Sequence, residues 1–158
     1  MLVEPQIPQN TGNIARTCAA TGSRLHIIKP MGFEIDDKKL KRAGLDYWHL
    51  LGVVYYEGMG DFFEKNPNCR VHLASTKAQN VYSDALYRDG DFLFFGKETA
   101  GLPEEFIKEN IESAIRIPMI EDARSLNLSN SVAVVLYEAL RQTGFGLMQT
   151  KGFLKILH

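Results

Sequence analysis

Little in this chain of 158 residues announces its chemistry by composition alone. Its only cysteines, Cys18 and Cys69, lie about fifty residues apart in no CxxC pairing, so neither a disulfide framework nor a zinc knuckle is expected. His26, His49, His72 and His158 fall in no ligand spacing such as HExxH, and no metal cofactor is expected. The sequence has no apolar run of membrane-spanning length and no basic-then-apolar leader, which points to a cytoplasmic protein. Charge of one sign is not in excess: the formal net charge is −1. A nucleic-acid partner would therefore have to be drawn by a local patch. Glycine fingerprints for nucleotides are lacking too. Gly58-Met59-Gly60 is followed by Phe63 where a third glycine should stand, Gly144-Phe145-Gly146 ends in Gln149, and there is no Walker A lysine motif. Dinucleotide dehydrogenases and P-loop enzymes are thereby disfavoured.

What is present is an ordinary globular composition, 45% hydrophobic and 23% charged, in a chain sized for one domain, 1–158. Short apolar runs read as strands at Met1–Glu4, Leu25–Ile28, Val53–Tyr56, Val71–Ala74, Phe92–Phe95 and Ala114–Ile117. Several are apolar almost throughout, as strands covered on both faces must be. Helical patterns fall between them at Thr11–Ala20, Asp37–Ala43, Asp61–Lys65, Glu104–Glu109 and Ser129–Gln142. Asn10 is a candidate N-cap and Gly22 a stop for the first of these. Pro103 opens the fourth, with Glu104 and Glu105 in its first turn. This alternation predicts an α/β fold, a parallel sheet with helices on both faces. The first strand is short, and the stretch from Phe145 to His158 is apolar with no clear period.

Three segments carry more polar groups than folding needs. Asn10-Thr11-Gly12-Asn13-Ile14-Ala15-Arg16 is a strand-to-helix turn, with Arg16 about one and a half turns into the helix, expected to aim its cation back toward the turn. A capped helix with a surface arginine would account for it equally well. Phe95-Gly96-Lys97-Glu98-Thr99-Ala100-Gly101-Leu102-Pro103 follows an apolar strand, where α/β sheets place ligands. The bland alternative is a tight loop with a solvated Glu98. Arg124-Ser125-Leu126-Asn127-Leu128-Ser129-Asn130 leads into the last helix, whose buried stripe is read as Val132, Val135, Leu136, Ala139 and Leu140. One Ser or Asn would cap that helix; the surplus is free for a ligand.

Together these segments resemble, in order and from Glu4 to Gly144, the signature motifs of the SPOUT superfamily, specifically the SpoU-like RNA ribose 2′-O-methyltransferases. The similarity is greatest to the minimal TrmL type, which acts on the wobble ribose of leucine tRNAs. Leu25-His26-Ile27-Ile28-Lys29-Pro30-Met31-Gly32-Phe33 and Arg42-Ala43-Gly44-Leu45-Asp46-Tyr47 match that group as well.

The resemblance implies a C-terminal deep trefoil knot, a homodimer, and S-adenosylmethionine (SAM) as cofactor, leaving S-adenosylhomocysteine (SAH). It implies cofactor contacts near Ala74, Gly96, Ile117, Met119, Ser125 and Leu126. Catalytic positions would be Arg16, Asn10, Ser125, Asn127 and Glu98, with Asn10 orienting Arg16 and Arg16 reaching the partner subunit's cofactor. The tRNA anticodon loop would meet Lys38, Lys39, Lys41 and Arg42, a basic run ahead of Tyr47 and Trp48. Two other functions compete: a ribosomal-RNA ribose methyltransferase, and a non-catalytic RNA-binding or assembly factor of the same fold. Larger relatives of the first kind carry RNA-binding extensions; decay into the second would not be expected to retain Arg16, Ser125 and Asn127.

Overall fold

In the computed structural model, which describes residues 1–34, 48 and 51–152, seven strands form one sheet with every pairing parallel. They are β1 (Leu2–Val3), β2 (His26–Ile28), β3 (Val54–Tyr56), β4 (Val71–Ala74), β5 (Asn80–Val81), β6 (Phe92–Phe95) and β7 (Ala114–Arg116), in the order β3-β2-β1-β6-β4-β7-β5. The helices are α1 (Pro8–Thr21), α2 (Met59–Lys65), α3 (Glu104–Glu109) and α4 (Leu128–Gln142).

The apolar strands are explained by their two covered faces. Leu2, Ile27, Phe95 and Ile115 point to one side, where they pack with Ile14, Ala15 and Cys18 of α1 and Val132 and Val135 of α4. Their neighbours Val3, Ile28, Phe94 and Ala114 point to the other, against Phe62 of α2 and Ile107 of α3. On α4, Val132 and Val135 are fully buried, whereas Leu136, Ala139 and Leu140 are half-covered.

All six expected strands are present; β5, two residues long, was not expected. Helix α1 begins three residues before its predicted start, because Pro8 occupies the first turn and Ile7 the N-cap position. Asn10 is thus not the N-cap. It lies inside the helix, 5% exposed, with its amide engaged elsewhere. Gly22 does end α1, in the left-handed conformation at φ 69°, donating its N–H to the Cys18 carbonyl. The helix expected at Asp37–Ala43 lies outside the described residues. Among those described, no helix is long and apolar enough to cross a membrane.

Candidate functional site

Two hollows of ligand size are found among the described residues, and size does not choose between them. The larger, about 770 Å³, opens near the starts of β1, β2 and β6 and is lined by none of the candidate catalytic, cofactor-binding or RNA-binding residues. The other, about 610 Å³, lies at the C-terminal ends of β4, β6 and β7 and beside Ile7 and Asn10, which follow β1. Strand order reverses between β1 and β6, and open α/β sheets bind ligands at such a point.

Ala74, Gly96, Ile117, Met119, Ser125, Leu126, Asn10, Glu98 and Asn127 all line this second cavity. Arg16 does not. It is exposed on α1, away from the cavity of its own chain. Lys38, Lys39, Lys41 and Arg42, and Tyr47 beside them, lie outside the described residues. Trp48 is half-buried and packs against the core cluster shared by α1 and α4.

A chain of hydrogen bonds joins the three sequence segments. The Glu98 carboxylate accepts the backbone N–H groups of Gln6 at 2.8 Å and Ile7 at 3.1 Å. An acid from a distant loop thereby satisfies donors at the start of α1, where negative charge is favoured. The same carboxylate accepts from Asn10 Nδ2 at 3.1 Å, and Asn10 Oδ1 accepts from Asn127 Nδ2 at 2.9 Å. Asn127 Oδ1 in turn takes Ser129 N at 2.9 Å and Ser129 Oγ at 2.7 Å, so Asn127 is the N-cap of α4. Both ends of the Asn10 amide are therefore occupied by Glu98 and Asn127. Within one chain it orients Asn127, not Arg16. Ser125 is exposed, and its hydroxyl makes no hydrogen bond among the described residues, leaving it available to a ligand.

Gly96 has a definite steric role. A Cβ there would lie 1.9 Å from the Gly101 carbonyl carbon and 2.1 Å from Leu102 N. The loop folds back on itself, with Gly101 N–H donating to the Lys97 carbonyl at 2.8 Å and Gly101 at φ 72°. What fills the space beside Gly96 is thus the loop's own backbone.

Cation pairing at the cavity is selective. Lys97 is bound to Glu4 at 2.6 Å, and Lys77 is paired with Glu104. Arg124, exposed at the rim, has no carboxylate within 4.0 Å among the described residues. Sequence reasoning missed the polar run Ser75-Thr76-Lys77 on the cavity wall. Its signal was available: three polar residues directly after the apolar strand Val71–Ala74, at a sheet's ligand-binding end.

The lining suits a nucleoside-sized ligand with a polar tail. Leu102, Ile107, Ile115, Ile117, Met119 and Leu126 supply apolar surface, and Ser75, Ser125, Asn127 and Ser131 supply hydroxyls and amides.

Comparison with known proteins gives a consistent picture. A family model described as the SpoU rRNA Methylase family matches residues 1–137. A curated relative from Escherichia coli (strain K12), "tRNA (cytidine(34)-2'-O)-methyltransferase", is 51% identical over 92% of this chain and 93% of its own length. A solved structure described as "Structural insights into the 2-OH methylation of C/U34 on tRNA" superposes with a TM-score of 0.84 at 44% identity, covering 90% of this chain and 93% of that one. The SpoU methyltransferase AviRb of Streptomyces viridochromogenes, solved with the cofactor AdoMet, superposes at 0.77 with 25% identity over 90% of this chain and 56% of its own.

Proposed function

We propose a reaction for this chain, which belongs to the SpoU methylase family: transfer of a methyl group from SAM to the ribose 2′-hydroxyl of the wobble nucleotide, cytidine or uridine 34, of tRNA. The observation that carries it is the joining of three distant segments at one cavity through Glu98, Asn10 and Asn127. Leucine tRNAs are the proposed substrates, and the C-terminal chain is proposed to be threaded as a trefoil knot, both from family resemblance.

SAM, when bound, supplies a methyl group already activated on a sulfonium, which leaves the protein two tasks: positioning the ribose and managing its hydroxyl proton. Cofactor contacts are assigned to the loops at Ala74, Gly96, Ile117 and Met119, with Ser125 and Leu126 at the open side. Ser125 Oγ, with no competing partner among the described residues, is assigned to hydrogen-bond the ribose or the methionine end of the cofactor. Asn127 is held by Asn10 and Ser129, so its contribution is a fixed edge against which the ligand is aligned. Glu98 acts through Asn10 and the start of α1, as a positioning residue.

Arg16 is assigned to the cavity of a partner subunit in a homodimer. Its exposure on α1 supports this, as do the exposed Val134 and Tyr137 on the adjoining helix α4, apolar surface that a partner would cover. A guanidinium stays protonated at any working pH. Its role is therefore to stabilise the developing alkoxide and hold the neighbouring phosphate, with the proton passing to phosphate or water.

The test is incubation of the protein with labelled SAM and, in parallel, unmodified tRNA or ribosomal RNA, followed by nucleoside mass spectrometry. The expected product is 2′-O-methylcytidine or 2′-O-methyluridine from position 34. Label in ribosomal RNA only, or tRNA binding with no transfer, would contradict the proposal.

A further inference from the structure

The charges around the cavity are arranged with a pattern that cofactor contacts alone do not require. Two lysines line it, and each is bound by a carboxylate from outside: Lys97 by Glu4, and Lys77 by Glu104. The Lys97–Glu4 pair is the better sheltered, with side chains 34% and 35% exposed against 56% and 62% for the other. Glu4 is held in place by more than the ion pair. Its backbone N–H donates to the Ile28 carbonyl at 2.9 Å, and it adopts a left-handed conformation at φ 50°, uncommon for a residue with a side chain. Gln6, two residues on, accepts from Thr99 at 2.7 Å, so residues 4, 6 and 7 are tied to residues 97–99.

Lys97 is the nearest neighbour in sequence of Gly96 and Glu98, both on the cavity wall. An unpaired ammonium at that place would repel a cationic ligand. The cofactor assigned above differs from its product in that respect. SAM has a sulfonium and carries one positive charge more than SAH, a neutral thioether at the same sulfur.

We infer that Glu4 is a specificity-determining residue: by neutralising Lys97 it prevents the ammonium from disfavouring the sulfonium cofactor relative to the thioether product. The inference rests on the assignment of SAM to this cavity. Glu98 adds a fixed negative charge to the same wall and acts in the same direction. Arg124, exposed at the rim with no carboxylate within 4.0 Å among the described residues, and the exposed Lys77–Glu104 pair are both open enough to be screened by salt.

The experiment measures dissociation constants for SAM and SAH by calorimetry at low ionic strength. It compares the parent chain, Glu4→Gln, and the double variant Glu4→Gln/Lys97→Met. Glu4→Gln leaves the Lys97 ammonium uncompensated and is expected to weaken SAM relative to SAH by about two- to fivefold. The effect should shrink as salt is raised. The double variant removes both charges without restoring the ion pair, and its SAM-to-SAH ratio should return to the parent value. A merely structural role predicts otherwise: both ligands weaken together, and the double variant is no better than the single one. Either of those results would overturn the inference. Failure of the parent chain to bind either ligand would overturn the cofactor assignment itself.

Discussion

At the scale of single residues, the site is a division of labour among groups that lie far apart in the chain. Glu98 stands 88 positions from Asn10, and Asn127 stands 117 from it. That these residues were candidates was legible, because their loops carry polar side chains in excess of capping needs, and the structure brings them to one cavity. Their pairing was not, since no local rule connects such distances. For the same reason Asn10 was read as a cap when it is a bridge.

Replacing Glu98 with Gln puts an NH₂ where backbone donors need an acceptor. Unfolding free energy should fall by about 1–2 kcal/mol, and cofactor affinity should fall with it. Denaturant melts and calorimetry on the same samples check both. Arg16 behaves in the opposite way. Exposed on α1, it should tolerate Arg16→Ala within about 0.5 kcal/mol of stability. Methyl transfer should nevertheless drop by about 100-fold or more. Near-full activity in Arg16→Lys would show that guanidinium geometry is not required.

At the scale of elements, the strands were readable because both faces of the sheet are covered and the sequence must be apolar throughout. Strand β5 escaped because two residues, Asn80 and Val81, carry no pattern. The start of α1 was misplaced because Pro8 fits the first helical turn and the donors ahead of it are served by Glu98 from another element. The loop between β6 and α3 leaves no room for a side chain at Gly96. Gly96→Ala should cost at least about 3 kcal/mol, since its methyl group would collide with backbone that has nowhere to go. A cooperative melt matching the parent's would contradict the close approach.

Strand β2 carries a pH-sensitive group. His26 is pushed down to about 4 by burial, with further lowering from the Met1 amine and Arg24. Its Nδ1 lies 2.9 Å from the Tyr56 hydroxyl. A histidine with a depressed pKa in the fold is protonated more readily when unfolded. Its neutral form therefore contributes stability that is complete above about pH 6.5 and declines as pH falls toward 4. Melting temperatures of His26→Gln should show a flatter slope between pH 6.5 and 5 than those of the parent. Equal slopes would rule this out.

At the scale of the whole molecule, one chain provides the cavity but keeps Arg16 out of it. In the proposed homodimer each site would be composite. Mixing Arg16→Ala with Ser125→Ala subunits should then recover activity that neither variant shows alone, because one site in the mixed dimer has both residues intact. No recovery in a mixture shown to exchange subunits would contradict donation across the interface. This level was the least legible in the residues themselves; the expectation of a homodimer came from family resemblance alone.

The central claim concerns one oxygen atom: the 2′-hydroxyl of nucleotide 34. It is tested most directly with synthetic tRNAs in which single riboses are replaced by 2′-deoxyribose. Substitution at position 34 should abolish transfer of labelled methyl, while substitution at 33 or 35 should leave it measurable. Continued transfer to the tRNA lacking the hydroxyl at 34 would contradict the account.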